Sequence, residues 1–341
     1  MTSLPTTGPT GTVQAPGPVT EQRNPRTLDI DTLPSLEILR LLNAEDARVP
    51  IAVAEVLPAL AGLVDAAEER VRRGGRLHYF GAGTSGRIAM LDAAELPPTF
   101  GVEQGFATAH LAGGEAATYA AVEDAEDDLS AGRQAADSLE RDDVAIGVSA
   151  SGSAPYVAAA LERAGERGAL TALVSSNPVA ALGKRAHFHI AVNTGPEALT
   201  GSTRLKAGTA AKLVLNGFST ALMVRLGHCY SNMMVDLVPT NQKLRRRLVR
   251  ILMQATGADE EACQRALSNA GDDVKVALVV MLAETAPAEA KAALAANGGR
   301  VRAALGALGL SSRARAGEPL HEFPLGGTYA DGHGPLQSPP A

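Results

Sequence analysis

The sequence predicts an α/β protein, a parallel-sheet αβα sandwich with flanking N-terminal helices and a small C-terminal helical bundle. Three observations carry that prediction. Short apolar runs that read as strands alternate with helical stretches between Arg76 and Val192, the pattern of a parallel sheet covered on both faces. Two Gly/Ser/Thr-rich segments, Gly81 to Arg87 and Ser149 to Pro155, each follow one of those strands, and ligands in such sheets sit at the carboxyl ends of the strands. From Asp259 onward the chain turns to Ala, Glu, Asp and Arg and reads as helical throughout.

Taken in order, residues 1–28 are rich in Pro, Gly and Thr without periodicity and read as a disordered tail. Residues 29–66 read as N-terminal helices. Leu36, Ile38, Leu39, Leu41 and Leu42 cluster in the first, and Val53, Leu57, Leu60 and Val64 lie three or four apart in a second, from about Ile51 to Arg73. Strands follow at Arg76–Phe80, Gly105–Leu111, Asp143–Val148, Ala169–Val174 and His187–Val192. A helix runs from about Ser85, another from Pro155 to Glu166, and a long one from Thr203 to Leu226. The α/β unit spans 67–230, residues 231–257 read as a linker helix, and 258–310 as a helical bundle broken at Gly271 and Pro287. Residues 311–341 read as a second tail, in which Glu322-Phe323-Pro324-Leu325 is a candidate docking motif.

Composition narrows the function. With 341 residues the chain suffices for about two globular units and a full core. The two cysteines, Cys229 and Cys263, make no disulfide framework and fit a reducing cytoplasm. A net charge of −6 argues against nucleic acid as partner, and aromatics at 3% with no Trp weaken any stacking platform. The apolar runs, such as Val276 to Leu282, are expected to fall short of the ~20 residues of a membrane helix. No signal peptide is expected in Met1 to Thr20. The histidines lack zinc-ligand spacing, so no metal site is expected.

The first loop, Gly81-Ala82-Gly83-Thr84-Ser85-Gly86-Arg87, has the G-x-G-x-x-G spacing, but no acidic residue ends the second strand to grip a ribose. Thr84 and Ser85 beside a helix start suit a phosphomonoester; a tight turn with Ser85 as N-cap reads equally from the residues. Ser149, Ser151 and Ser153 with the amides of the second loop make an anion cradle, or else a plain linker. Two hydroxyl-rich loops after two strands of one sheet, without a Walker lysine, point together to a sugar phosphate. Glu95, followed by Pro97-Pro98 as helix terminators, is a candidate acid/base. Glu126, within Glu123–Asp128, reads on its own as a solvated charged helix end. Arg204 and Lys206, in Thr200–Thr209, are candidate partners for a substrate anion or else solvated beside a capping Ser202 or Thr203.

These stretches resemble the N-acetylmuramic acid 6-phosphate etherases. The resemblance rests on GAGTSGR and LDAAELPPT between Leu77 and Thr99, on Ala112–Glu115, Ala121–Asp127, Thr200–Leu215 and Asn232–Leu237, and on Thr240, Asn241, Lys243 and Leu244. It covers about Leu33 to Leu305 and leaves the terminal extensions without counterpart. The glucokinase regulatory protein is a more distant relative that shares the sugar isomerase (SIS) type of domain without the activity. The resemblance implies an SIS-type domain at 67–230, a UBA-like bundle at 258–310, and a homodimer in which a neighbour's residues complete the site. It further implies a cofactor-free lyase that cleaves the D-lactyl ether of the sugar phosphate, giving N-acetylglucosamine 6-phosphate and D-lactate. Removal of the C2 proton from the open-chain aldehyde, loss of lactate from C3 and addition of water require two carboxyls, one neutral and one ionised. The motifs carry those roles to Glu95, as proton donor to the departing oxygen, and Glu126, as second acid/base group. They carry phosphate binding to Thr84, Ser85, Ser149 and Ser151. One departure is that the family has Arg-Thr after the Ser-Gly of the second loop, where this chain has Ser153-Ala154. A non-catalytic sugar-phosphate regulator and an isomerase that leaves the ether intact are the alternatives; retention of both glutamates favours the lyase.

Overall fold

The computed structural model describes residues 19–236 and 242–310. The expected tails at 1–18 and 311–341, the Glu322–Leu325 motif, and Thr240 and Asn241 lie outside the described residues. Five parallel strands, β1 (Leu77–Gly81), β2 (Ala107–Leu111), β3 (Val144–Val148), β4 (Leu170–Ser175) and β5 (Phe188–Ala191), form one sheet in the order β2-β1-β3-β4-β5. Every residue of β3 and β4 is buried, which is why both read as continuous apolar runs rather than alternating ones.

Side-chain alternation sorts the strands between two layers. Leu77, Tyr79, Val144, Ile146, Leu170, Ala172 and Val174 pack on one face against α2 (Val49–Arg72), α3 (Gly83–Phe100) and α6 (Lys206–Leu226). Phe80, Ala145 and Leu173 pack on the other against α5 (Pro155–Glu166) and its neighbour α4 (Leu129–Ala135). Strand order reverses between β1 and β3, and a ligand crevice opens at such a switch point, outside the carboxyl ends of the strands. Both hydroxyl-rich loops leave the sheet there.

Close approach explains the first loop's glycines. A Cβ on Gly86 would lie 2.3 Å from Leu111 Cδ1 and 2.6 Å from the Gly81 carbonyl oxygen, so α3 can rest on β1 only with glycine at that turn. Farther along α3, Asp92 is buried and accepts hydrogen bonds from Tyr79 Oη at 2.9 Å, Asn216 Nδ2 at 2.6 Å and Ser219 Oγ at 2.9 Å. That one carboxylate ties α3 to the sheet and to α6. Burial, and then the Asp92 charge, push the Tyr79 phenol well above its ordinary pKa.

The structure departs from the sequence reading in four places. Residues 19–28, expected in the disordered tail, fold onto the domain through buried polar side chains, Thr20, Asn24 and Thr27; an apolar pattern cannot reveal anchors of that kind. The helix after the first loop does not stop before Pro97. Two prolines in its last turn remove two hydrogen bonds only, and Gly101, at φ +67°, closes the turn on the Pro97 carbonyl at 3.0 Å. The N-terminal pair is α1 (Ser35–Asp46) and α2, whose end at Arg72 agrees with the helix expected from about Ile51 to Arg73. Ser35–Arg72 is long and apolar enough to cross a membrane by length and composition, contrary to the expectation that every apolar run falls short. Leu60, Leu63, Val64 and Ala67 of this stretch lie in the core, so it flanks the sheet layer.

Finally, the expected linker helix is part of the C-terminal bundle. After a short hairpin, β6 (Cys229–Tyr230) and β7 (Met233–Met234), α7 (Gln242–Thr256) contributes Leu248, Val249, Ile251 and Leu252 to the bundle core. The same core is completed by α8 (Glu260–Asn269), α9 (Val274–Ala283), α10 (Pro287–Ala296) and α11 (Val301–Ala307). α8 and α9 are each capped by an aspartate, Asp259 and Asp273, accepting the amides of Ala262 and Val276.

Candidate active site at the carboxyl end of the sheet

At the switch point a cavity of about 310 Å³ is lined by Thr84, Ser85, Ser149, Ser151 and Glu126, with Glu21, Gly201 and Thr203. All four hydroxyls expected to hold phosphate are therefore brought together, and Glu126 joins them. Thr84 and Ser85 stand in the first turn of α3, which begins at Gly83, where the leading amides have no helical carbonyl to serve. Such amides and the helix dipole favour an anion. The second loop is braced from within. Ser149 Oγ accepts the Gly152 amide at 3.1 Å, Ser151 Oγ bonds Ser153 Oγ at 2.8 Å, and Asn177 Nδ2 donates to the Ser151 carbonyl at 2.9 Å. Gly152 has φ +67°, a left-handed turn that suits glycine. Ala154 lines the same cavity.

Among the described residues no lysine or arginine lines the cavity. The charged side chains that line it are carboxylates, Glu21 and Glu126. Glu126 reaches the cavity from a 3₁₀ turn, Ala125–Asp127, set between Asp124 in the left-handed region and Asp128, which caps α4 through the Ala131 amide at 2.8 Å. The acidic run is thus a sharp corner that leads into the start of α4, and the corner turns one of its carboxylates toward the loops. Sequence reasoning passed over Arg87, which helps hold the approach to that corner. Its guanidinium leaves the phosphate loop and donates to the carbonyls of Ala117 at 3.0 Å, Thr118 at 3.2 Å and Ala120 at 2.9 Å.

Glu95 is not in this cavity. It is exposed on the outer face of α3, one turn beyond Leu91, which is also exposed. Ten residues of helix separate it from Ser85, about 15 Å along the axis at ~1.5 Å per residue. Arg204 is exposed and lines none of the cavities described here. Lys206 is fully buried, and its ammonium donates to Glu45 Oε2 at 2.7 Å. Glu197 accepts the Lys206 and Ala207 amides at 3.0 and 2.9 Å, so the amino end of α6 already has its anion. Burial pushes the Glu197 carboxyl up against the pull of those amides and of Lys206.

His187 and His189, which share a strand face, are engaged by neighbours: Thr171 Oγ1 lies 2.7 Å from His187 Nδ1, and Ser175 Oγ 2.8 Å from His189 Nε2. A larger groove, about 820 Å³, runs beside the edge strand β2 past His110, Glu115 and Asp128, and neither serine loop lines it. Burial and the neighbouring His78 hold the His110 pKa down to about 4.

Comparison with known proteins extends these observations. The profile of the glucokinase regulatory protein N-terminal SIS domain matches residues 59–165, and that of the SIS domain matches 118–216. An N-acetylmuramic acid 6-phosphate etherase from Thermobifida fusca (strain YX) is 57% identical over 276 residues, covering 81% of this chain and 90% of that protein. Etherases from Pectobacterium atrosepticum and Streptomyces coelicolor are 48% and 49% identical, each over 84% of this chain and over 95% and 93% of their own lengths. With identity at that level over four-fifths of its length, the chain belongs to the N-acetylmuramic acid 6-phosphate etherase family.

Proposed function

We propose that this chain is an N-acetylmuramic acid 6-phosphate etherase, a lyase that releases D-lactate and leaves N-acetylglucosamine 6-phosphate. The observation that carries the reading is the meeting of Glu126 with two hydroxyl-rich loops in one switch-point cavity, in a chain of this family. Thr84, Ser85, Ser149 and Ser151 hold the phosphate of the open-chain aldehyde. A carboxylate removes the C2 proton, the electrons of the C2–H bond form the C2–C3 double bond, and the C3–oxygen bond breaks, its electrons leaving on the lactate oxygen as a carboxylic acid protonates it. Water then adds at C3 and C2 takes back a proton. Glu95 is assigned the proton donation to lactate, and Glu126 the second acid/base role. The chemistry uses proton transfer only and calls for no cofactor.

The reach of Glu95 supports a homodimer as the working form. Glu95 lies about 15 Å along α3 from Ser85 and faces solvent, so within one chain it stands apart from a ligand anchored at Ser85. A second copy can supply it. Leu91 beside Glu95, and Leu36, Leu39, Ile51 and Leu57 on α1 and α2, are exposed apolar side chains of the kind such an interface covers. Two free cysteines, one half-buried and one buried, accord with a cytoplasmic setting.

The test is D-lactate release from N-acetylmuramic acid 6-phosphate by the wild type and by Glu95→Ala and Glu126→Ala. Turnover by the wild type with losses of ~100-fold or more in both variants supports the assignment. Saturable binding of sugar phosphates without lactate would turn the reading to a regulator on the same fold.

A further inference from the structure

Residues 19–27 cross the edge of the cavity as a strap whose pegs are polar. Thr20, Asn24 and Thr27 are buried. The Thr20 carbonyl accepts the Gly201 amide at 3.3 Å, Asn24 Nδ2 donates to the Pro196 carbonyl at 3.2 Å, and Thr27 Oγ1 donates to the Ala198 carbonyl at 2.8 Å. Behind the strap Glu45 collects Asn24 Nδ2 at 2.8 Å, Arg26 Nη2 at 2.8 Å and the Lys206 ammonium at 2.7 Å. From this pinned segment Glu21 is directed into the cavity, where Thr84, Ser85 and Glu126 also stand. Its Oε2 passes so close to Gly201 that a Cβ there would lie 3.3 Å away, and Gly201 itself has φ +76°. Arg26 and Lys206, the cations of this network, are both taken by Glu45. Among the described residues Glu21 has no ion-pair partner.

A carboxylate with no cation beside it works against a phosphate in the same cavity, because like charges repel. It gains affinity only where the ligand presents a neutral donor, and a hydrogen bond to a charged acceptor is the stronger kind. A phosphorylated open-chain sugar offers such donors in the hydroxyls between its phosphate and its reacting carbons. Resting on the sugar-phosphate reading of this cavity, we propose that Glu21 is a specificity residue that accepts a hydrogen bond from a substrate hydroxyl. The cavity thereby prefers a polyhydroxylated phosphate over a bare one. Glu45, through Asn24 and Arg26, positions the strap that carries Glu21.

The proposal predicts opposite signs for two ligands. Calorimetric titration of the full chain with N-acetylglucosamine 6-phosphate and with inorganic phosphate compares wild type, Glu21→Ala and Glu21→Gln. Glu21→Ala weakens the sugar phosphate about 10-fold or more, and leaves inorganic phosphate unchanged or tighter, since a repelling charge is gone. Glu21→Gln keeps an acceptor oxygen and recovers part of the sugar-phosphate affinity. Equal weakening of both ligands would mean that Glu21 only shapes the strap, and unchanged sugar-phosphate binding would mean that it touches no ligand; either overturns the proposal. A wild-type chain that binds neither ligand would overturn the reading of the cavity itself, and this inference with it.

Discussion

Ser85, Ser149 and Glu126 meet in one cavity within a single chain, whereas Glu95 stands about 15 Å farther along the same helix on a face that this chain leaves open. The contrast follows from how each end is built. The cavity end is made of backbone: two strand-to-helix turns, the amino end of α3 and a 3₁₀ corner, all fixed by the sheet. The Glu95 end is made of one helix surface. Its inner side is anchored by Asp92 on Tyr79, Asn216 and Ser219, so α3 has little freedom to swing Glu95 inward. On the proposed assignment the site is divided between these two ends, and Leu91, one turn before Glu95, is exposed beside the outer one.

The largest effect would come from recombining the halves. Glu95→Ala and Glu126→Ala, each down ~100-fold or more alone, are mixed after co-unfolding and refolding. If each site draws Glu95 from one copy and Glu126 from the other, half the dimers are mixed and each holds one intact site, so about one quarter of wild-type lactate release returns. Activity that stays at the level of the single variants would place both carboxylates in one chain and break the comparison.

The second effect is on folding, at the buried ion network behind the strap. Lys206→Met removes one partner from a buried pair and leaves Glu45 with Arg26 and Asn24; losing a hydrogen bond to a charged group costs about 1.5–3 kcal/mol. A lowered urea midpoint with unchanged slope would register it. The Arg26 hydrogen bond, then Lys206 and Asn24, hold the Glu45 carboxyl down to about 2 against the opposing effect of burial. A depressed carboxyl stabilises the fold fully above its ordinary value of 4.5, and that stability drains away as pH falls from there toward 2. Acid unfolding of Arg26→Ala should therefore be shallower over that window than in wild type.

What was legible in the sequence divides along similar lines. Apolar periodicity reveals strands and helices because those bury apolar surface: β3, β4 and α5 fall where the pattern puts them. Loop chemistry points to Thr84, Ser85, Ser149 and Ser151, which line one cavity, because the hydroxyls follow strand ends closely. Elements held by polar contacts stay hidden. The strap at 19–27 is fixed by Asn24 and Thr27 on distant carbonyls, partners that no local pattern predicts. Lys206 reads as a substrate cation from its neighbours in sequence, but its partner Glu45 lies 161 residues away. Glu126 reads as a solvated helix end because a left-handed Asp124 is invisible in composition.

A smaller effect tests the anchor of the Glu95 helix. Tyr79→Phe removes one donor from Asp92 while Asn216 and Ser219 remain. Stability should fall by about 1–3 kcal/mol in chemical denaturation. Phosphate affinity should be unchanged, since the first turn of α3 is held separately by the close contact of Gly86 with Gly81. Loss of phosphate affinity in this variant would show that the two ends of α3 are not independent.

The smallest effect belongs to Ser149. Its hydroxyl lies at the cavity wall and also accepts the Gly152 amide at 3.1 Å, so it serves both the ligand and the loop. Ser149→Ala removes one neutral donor from a phosphate that retains Thr84, Ser85, Ser151 and the amides of the α3 turn. One neutral hydrogen bond is worth about 1 kcal/mol net, so KM should rise about fivefold. The phosphate is bound alike before and during the reaction, so kcat should hold. A fall in kcat with unchanged KM would mean that Ser149 acts on the reacting carbons, and the division of the site into a holding end and a reacting end would fail at its most buried hydroxyl.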